Sequence, residues 1–226
     1  MNNNKFVFEF DPETEGMMLV KCSADIELAE IPAEYDGRPV TSIGSYCFVE
    51  VVDRSTKDKE ILVPKQDNTA LRQVIIPSSL LEIRHCAFMH CTKLEEIRLP
   101  ENVQYIGPSA FLNCHSLKYI KYPHLCRMVL RGVCRNCFSL EKVNISETFE
   151  IEYGAFSGCR SLTDVKSGNH LRKIGAMAFM DCSSLESIEL PESLNQVEQK
   201  AFWNTGIKET VLPRSVYRKG EKIFSA

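Results

Sequence analysis

The chain has no apolar run near the ~18–20 residues needed to cross a bilayer, which excludes a spanning helix. It has almost no charge imbalance: 27 Lys and Arg against 30 Asp and Glu leave a net charge of -3. The whole molecule therefore has no general attraction for nucleic acid or an anionic membrane. It has one tryptophan and five histidines, and no His-Glu-x-x-His string, glycine-rich phosphate loop or fixed Ser, His and acid grouping. Those absences remove the familiar metalloprotease, nucleotide-binding and hydrolase signatures, and no motif implies a cofactor. The start, Met1-Asn2-Asn3-Asn4-Lys5-Phe6, has neither a basic nor an apolar leader region, so the expected location is cytoplasmic. A surface or secreted location would require another export route.

What is present is a repeat. Ala-Phe or a stand-in recurs at Ala87-Phe88, Ala110-Phe111, Val133-Cys134, Ala155-Phe156, Ala178-Phe179 and Ala201-Phe202, at steps of 23, 23, 22, 23 and 23 residues. A cysteine follows at 91, 114, 137, 159 and 182, and three residues later comes Leu94, Leu117, Leu140, Leu162 or Leu185. Short alternating stretches come next, such as Ile97-Arg98-Leu99-Pro100 and Ile188-Glu189-Leu190-Pro191. Alternation predicts a strand with one face inward, and proline ends it because it has no N–H for a ladder. One such unit cannot bury its own apolar edge, so the units must stack, with parallel strands ~4.8 Å apart.

These strings, with Asp36-Gly37-Arg38-Pro39-Val40-Thr41-Ser42-Ile43-Gly44 upstream, closely resemble BspA-like leucine-rich repeats over about residues 24–224. The resemblance implies an α/β leucine-rich-repeat solenoid: a parallel sheet on the concave face, and short strands and 3-10 turns on the convex side. It is similar to adhesins and protein-recognition modules and implies binding, not catalysis.

The expected division is a single solenoid domain over 1–226. Residues 1–23 form a β-hairpin cap, from the alternation of Phe6, Phe8 and Phe10 and the turn Asp11-Pro12-Glu13-Thr14-Glu15-Gly16. Residues 24–48 are the first repeat, 49–70 an inserted hairpin arm with a charged tip at Asp53–Glu60, and 71–224 consecutive repeats. Two departures stand out, besides Cys134 in a phenylalanine slot and Cys126 in a valine slot. Val165-Lys166-Ser167-Gly168 lacks the second apolar residue and the proline, predicting a weak rung. The 22-residue step predicts a kink or tighter return. Gly107 and Gly175 are expected to let the backbone bend.

Ten cysteines raise the alternatives of disulfides, zinc and plain packing. Stacking would bring column neighbours within disulfide reach, but a signal-less chain is expected among reducing thiols. Cys134 and Cys137 have metal-ligand spacing, yet both belong to repeat columns and no second such pair exists. Buried packing is the expected role. Trp203 is expected to be buried or to serve as a contact aromatic.

With Ile97 and Leu99 inward, the side chains between them face out. One outward column runs Gln73, Glu96, Tyr119, Lys142, Asp164, Ser187 and Glu209. The other runs Ile75, Arg98, Lys121, Asn144, Lys166, Glu189 and Val211. Glu96, Arg98, Tyr119, Lys121, Lys142, Asn144, Lys166 and Glu189 form the candidate site for a protein partner. Arg98, Lys121 and Lys166 would receive an acidic segment and Tyr119 would be the aromatic anchor. An ordinary solvated face is the alternative. Acidic neighbours argue against nucleic acid. A rival function is self-assembly, as a homo-oligomer through the 49–64 arm or the solenoid ends.

Overall fold

The computed structural model describes residues 5–55, 62–207, 212–213, 216–219 and 223. Each coil of chain passes three walls around one continuous core. The front wall is a six-stranded parallel sheet in the order Asp164–Ser167, Lys142–Ile145, Tyr119–Lys121, Glu96–Ile97, Gln73–Ile75 and Leu28–Glu30. Its inward residues Ala29, Val74, Ile97, Ile120, Val143 and Val165 are buried, and those between them point to solvent. Period-two side-chain direction thus turns the sequence alternation into a two-faced sheet.

The back wall is split. One sheet joins the antiparallel hairpin Phe6–Asp11 and Gly16–Cys22 to Arg38–Ile43, Glu82–Ile83 and Tyr105–Ile106. A second joins Met128–Val129, Glu150–Ile151, Lys173–Ile174, Gln196–Glu198 and Tyr217–Lys219. Among the described residues no strand pairing joins Tyr105–Ile106 to Met128–Val129. On the front, the pairing at the same level shrinks to Glu96 opposite Tyr119. The side chains there are unusual too. Cys126 stands in a valine slot and donates its thiol to Val103 O at 3.3 Å. Tyr122 stands in a leucine slot, fully buried, and its hydroxyl is the buried side-chain polar atom left without a hydrogen bond among the described residues.

The third wall carries the Ala-Phe turns, and it corrects the α/β expectation: among the described residues there is no α-helix and no 3-10 helix. The reason is the routing of the amides. Ala110, Leu112 and Cys114 donate within their own turn, to Gly107 O, Ser109 O and Phe111 O at 3.1–3.2 Å. Ser109, Phe111 and Asn113 donate instead to Arg131 O, Val133 O and Arg135 O of the next rung at 2.8–3.0 Å. Alternate amides are committed across rungs, so no helical ladder can propagate. Left-handed residues recur four apart to make this possible: Cys86 and His90, Ser109 and Asn113, Gly132 and Asn136, Gly154 and Gly158, Met177 and Asp181, Lys200 and Asn204.

The phenylalanines of this wall stack inside it. Ring centroids are 4.6 Å apart for Phe48 and Phe88, 5.4 Å for Phe88 and Phe111, and 5.4 and 5.5 Å along Phe156, Phe179 and Phe202. The stack is interrupted at Cys134. The cysteine column lies beside it: Cys114, Cys137 and Cys182 donate to Phe88 O, Phe111 O and Phe156 O, and Cys159 to Cys134 O, at 3.1–3.2 Å. The thiols fill space like a small apolar side chain and also satisfy a carbonyl.

The short step takes the form of a tighter return and leaves the ladders in register. The missing residue falls in the turn Ser146-Glu147-Thr148, while register holds on both sides, with Lys142 opposite Asp164 and Glu150 opposite Lys173. Thr148 turns its hydroxyl back to Ile145 O at 2.9 Å. The tightened turn presses Ser146 O to 1.8 Å from where a Cβ on Gly168 would stand, which is why glycine replaces proline there. The Val165 rung is accordingly not weak: it pairs over four positions. The next rung, Ile188-Glu189-Leu190, fits the repeat yet forms no strand. Ser167 Oγ takes Glu189 O at 2.6 Å, the carbonyl that a ladder amide takes at the equivalent Tyr122 N to Asn144 O bond. Gly107 and Gly175 do not bend through unusual torsions. A Cβ on either would meet the backbone of the preceding rung at 2.5–2.9 Å.

Candidate protein-recognition surface

The inserted segment pairs Val51–Asp53 antiparallel with Leu62–Pro64, while residues 56–61 of its charged tip lie outside the described residues. The front sheet brings most of the outward columns into register. Glu96 lies opposite Gln73 and Tyr119, Tyr119 opposite Lys142, and Lys142 opposite Asp164. In the second column Lys121 lies opposite Asn144, and Asn144 opposite Lys166. Glu189 is exposed but off the sheet, a correction that follows from the missing ladder at its rung. Glu209 and Val211 lie outside the described residues.

The charges are less uniform than the column suggests. Arg98, just past the Glu96–Ile97 strand, donates its Nε–H to Glu96 Oε1 at 2.7 Å. Lys121 Nζ is paired with Glu101, from the turn after the previous strand. The Lys121 hydrogen bond holds the Glu101 carboxyl below its ordinary range, in spite of some desolvation, and the same bond raises Lys121. Lys142 and Lys166 have no ion pair among the described residues, and both are exposed. Tyr119 is 43% exposed between Glu96 and Lys142, and Ile75 and Leu28 add exposed apolar surface further along. A groove of about 390 Å³, lined by Gln73, Ile75, Ile76, Glu96 and Arg98, continues the same face.

The other tempting groups are accounted for by neighbours. All ten cysteines are buried free thiols. Burial raises every one for which a shift is resolved, to about 11 for Cys86 and about 12 for Cys22 and Cys126. No group of three or more His, Cys, Asp or Glu that could hold a metal exists among the described residues. His90 joins Asp67 at 2.5 Å and Asn113 at 3.0 Å, and Asn136 continues that ladder to Asn113 at 3.0 Å. His115 stacks on Phe138 with centroids 4.5 Å apart. His85 bonds Tyr46 and Pro108 O, each at 3.1 Å. Trp203 is half-buried beneath Lys200 Nζ, 5.6 Å from its ring. Among the described residues no helix is long and apolar enough to cross a membrane.

The model of the BspA-type leucine-rich repeat region matches residues 66–161 and 149–226, in six copies. The chain belongs to the BspA-type leucine-rich repeat family. Solved structures agree on the fold. A leucine-rich repeat protein from Bacteroides ovatus aligns with TM-score 0.70 and 25% identity, over 96% of this chain and 60% of the other. One from Eubacterium ventriosum gives 0.71 and 24%, over 97% and 54%. The T. pallidum leucine-rich repeat protein gives 0.63 and 24%, over 82% and 90%. The chain thus spans 60% and 54% of the Bacteroides and Eubacterium proteins. No curated protein matches it.

Proposed function

We propose that this BspA-type repeat chain is a non-catalytic recognition scaffold whose front sheet binds an acidic segment of a protein partner. The observation that carries the reading is the in-register group of exposed Tyr119 beside Lys142, with Lys166 nearby, two ammonium groups free of ion pairs among the described residues. Rigid stacked rungs present these groups without further ordering, so little entropy is lost on binding. An aromatic beside cations that need no prior pair-breaking suits an acidic, partly apolar segment. Arg98 and Lys121 contribute less, because each must first leave Glu96 or Glu101.

The test is retention of cell proteins on immobilised wild type and on a Tyr119→Ala, Lys142→Glu, Lys166→Glu variant with unchanged thermal unfolding. A protein held by the wild type and lost from the variant supports the reading. Equal retention by both sinks it. Self-association is the second reading, favoured by Val52, which is 40% exposed on an arm whose strands, among the described residues, pair only with each other. Mass by light scattering that rises with concentration, and falls to monomer on deletion of residues 49–64, would support that instead.

A further inference from the structure

We infer a second binding site, away from the front sheet, for a small organic acid: one carboxylate or phosphate on an apolar body. The left-handed position that precedes each Ala-Phe pair carries a side chain at Cys86, Ser109, Met177 and Lys200, but glycine at 132 and 154. The two bare positions lie on successive rungs, and they leave a pocket of about 470 Å³ lined by Pro108, Leu112, Arg131, Arg135, Tyr153 and His85. That volume falls within the range of small-ligand sites, which pair an apolar wall with a few placed polar groups.

The wall divides by chemistry. Leu112 packs on the buried cluster of Val49, Cys86 and Met89, and with Pro108 gives an apolar side. Both ring nitrogens of His85 are engaged, by Tyr46 and Pro108 O, so that ring is a fixed edge. Arg131 and Arg135 supply the cationic part of the lining. Arg131 lies over the Tyr153 ring at 5.3 Å, and neither arginine makes an ion pair among the described residues. Glu152, next in the chain to the lining Tyr153, uses Oε2 to accept the Arg131 backbone N–H at 2.9 Å. Two cations against one carboxylate leave the pocket positive. The neighbouring pocket, lined by Glu13, Glu82 and Arg84, has more carboxylates than cations, and both of those carboxylates are paired to its one arginine. A guanidinium group is suited to bidentate recognition of a carboxylate or phosphate.

Calorimetric titration with phenyl phosphate, phenylacetate and inorganic phosphate tests the site and separates a free anion from an acid on an apolar body. The wild type should bind one of the two aromatic acids below about 1 mM, at least about tenfold tighter than inorganic phosphate. The Arg131→Gln, Arg135→Gln variant should lose at least about tenfold in affinity at an unchanged melting temperature. An Arg72→Gln, Lys118→Gln variant, which removes the same charge around Glu95, should bind as the wild type does. The inference is overturned by no binding of either aromatic acid at 10 mM, by equal affinity for inorganic phosphate, or by equal loss in both variants.

Discussion

Arg84 reaches back across 73 residues to Asp11, its Nη2 lying 2.9 and 3.0 Å from the two carboxylate oxygens. The same carboxylate accepts Ser42 Oγ at 2.5 Å, Thr14 Oγ1 at 2.9 Å and the Glu13 amide at 3.2 Å. This clasp ties the N-terminal hairpin to the rungs behind it. Burial pushes the Asp11 carboxyl up, but the bonds from Ser42, Thr14 and the Glu13 amide, together with Arg84, more than offset it and hold it below its ordinary 3.8.

A carboxyl depressed in the folded state contributes stability that is complete above its unfolded value and lost as pH falls through the folded one. The hairpin should therefore loosen below about pH 4. Asp11→Asn should flatten the acid side of the stability curve and cost about 2–3 kcal/mol at neutral pH. Urea unfolding followed from pH 2 to pH 7 checks both. Parallel curves for wild type and variant would remove Asp11 from the account.

The thiol column should be chemically silent in the native state. Burial raises Cys91, Cys114, Cys159 and Cys182, and Cys114, Cys137, Cys159 and Cys182 donate S–H to carbonyls instead of standing ready as thiolates. Ellman's reagent at pH 8 should label the folded protein slowly and all ten thiols promptly in guanidinium. Cys137→Ala, which loses both volume and the bond to Phe111 O, should cost about 1–2 kcal/mol. Rapid native labelling of several thiols would contradict the sealed column.

Two glycines should separate steric from torsional cost. Gly168→Ala drives a methyl into Ser146 O and should cost about 2–3 kcal/mol. Gly37→Ala meets nothing within 4 Å, but its φ of +69° should cost about 1–2 kcal/mol. Denaturant midpoints of the two variants measure the difference. A reversed order would mean the turn at 146–148 yields easily.

Hydrogen exchange should find the split in the back wall. Amides of Met128 and Val129 should exchange faster than those of Ile151 and Ile174, whose strands have a partner on the preceding rung. Equal protection along the wall would show that packing alone holds that level closed.

The repeat made the stack and its register legible, because a covalent period of 22–23 residues becomes a spatial column once rungs are parallel. Hence Glu96, Tyr119 and Lys142 meet as the spacing requires. Ladder partners are less legible. A serine at 167 diverts one carbonyl, and the well-matched Ile188 rung drops out of the sheet. Apolar spacing at Ala110, Phe111 and Cys114 is equally compatible with a helix. The left-handed residues decide otherwise, and Ser109 or Met177 there gives no sequence signal. Glu101 neutralises Lys121 from a turn whose place depends on the fold. The Arg131 and Arg135 pocket exists because Gly132 and Gly154 are stacked, which a single repeat does not reveal.

The line between Ile106 and Met128 has a mechanical consequence. Among the described residues, the front sheet keeps a single paired position there and the Ala-Phe wall keeps its cross-rung amides, while the back has no strand pairing. Tension applied at the two ends would concentrate on that line. The molecule would bend there as a book opens along its spine, with two stiff covers and one crease that sets the angle between them.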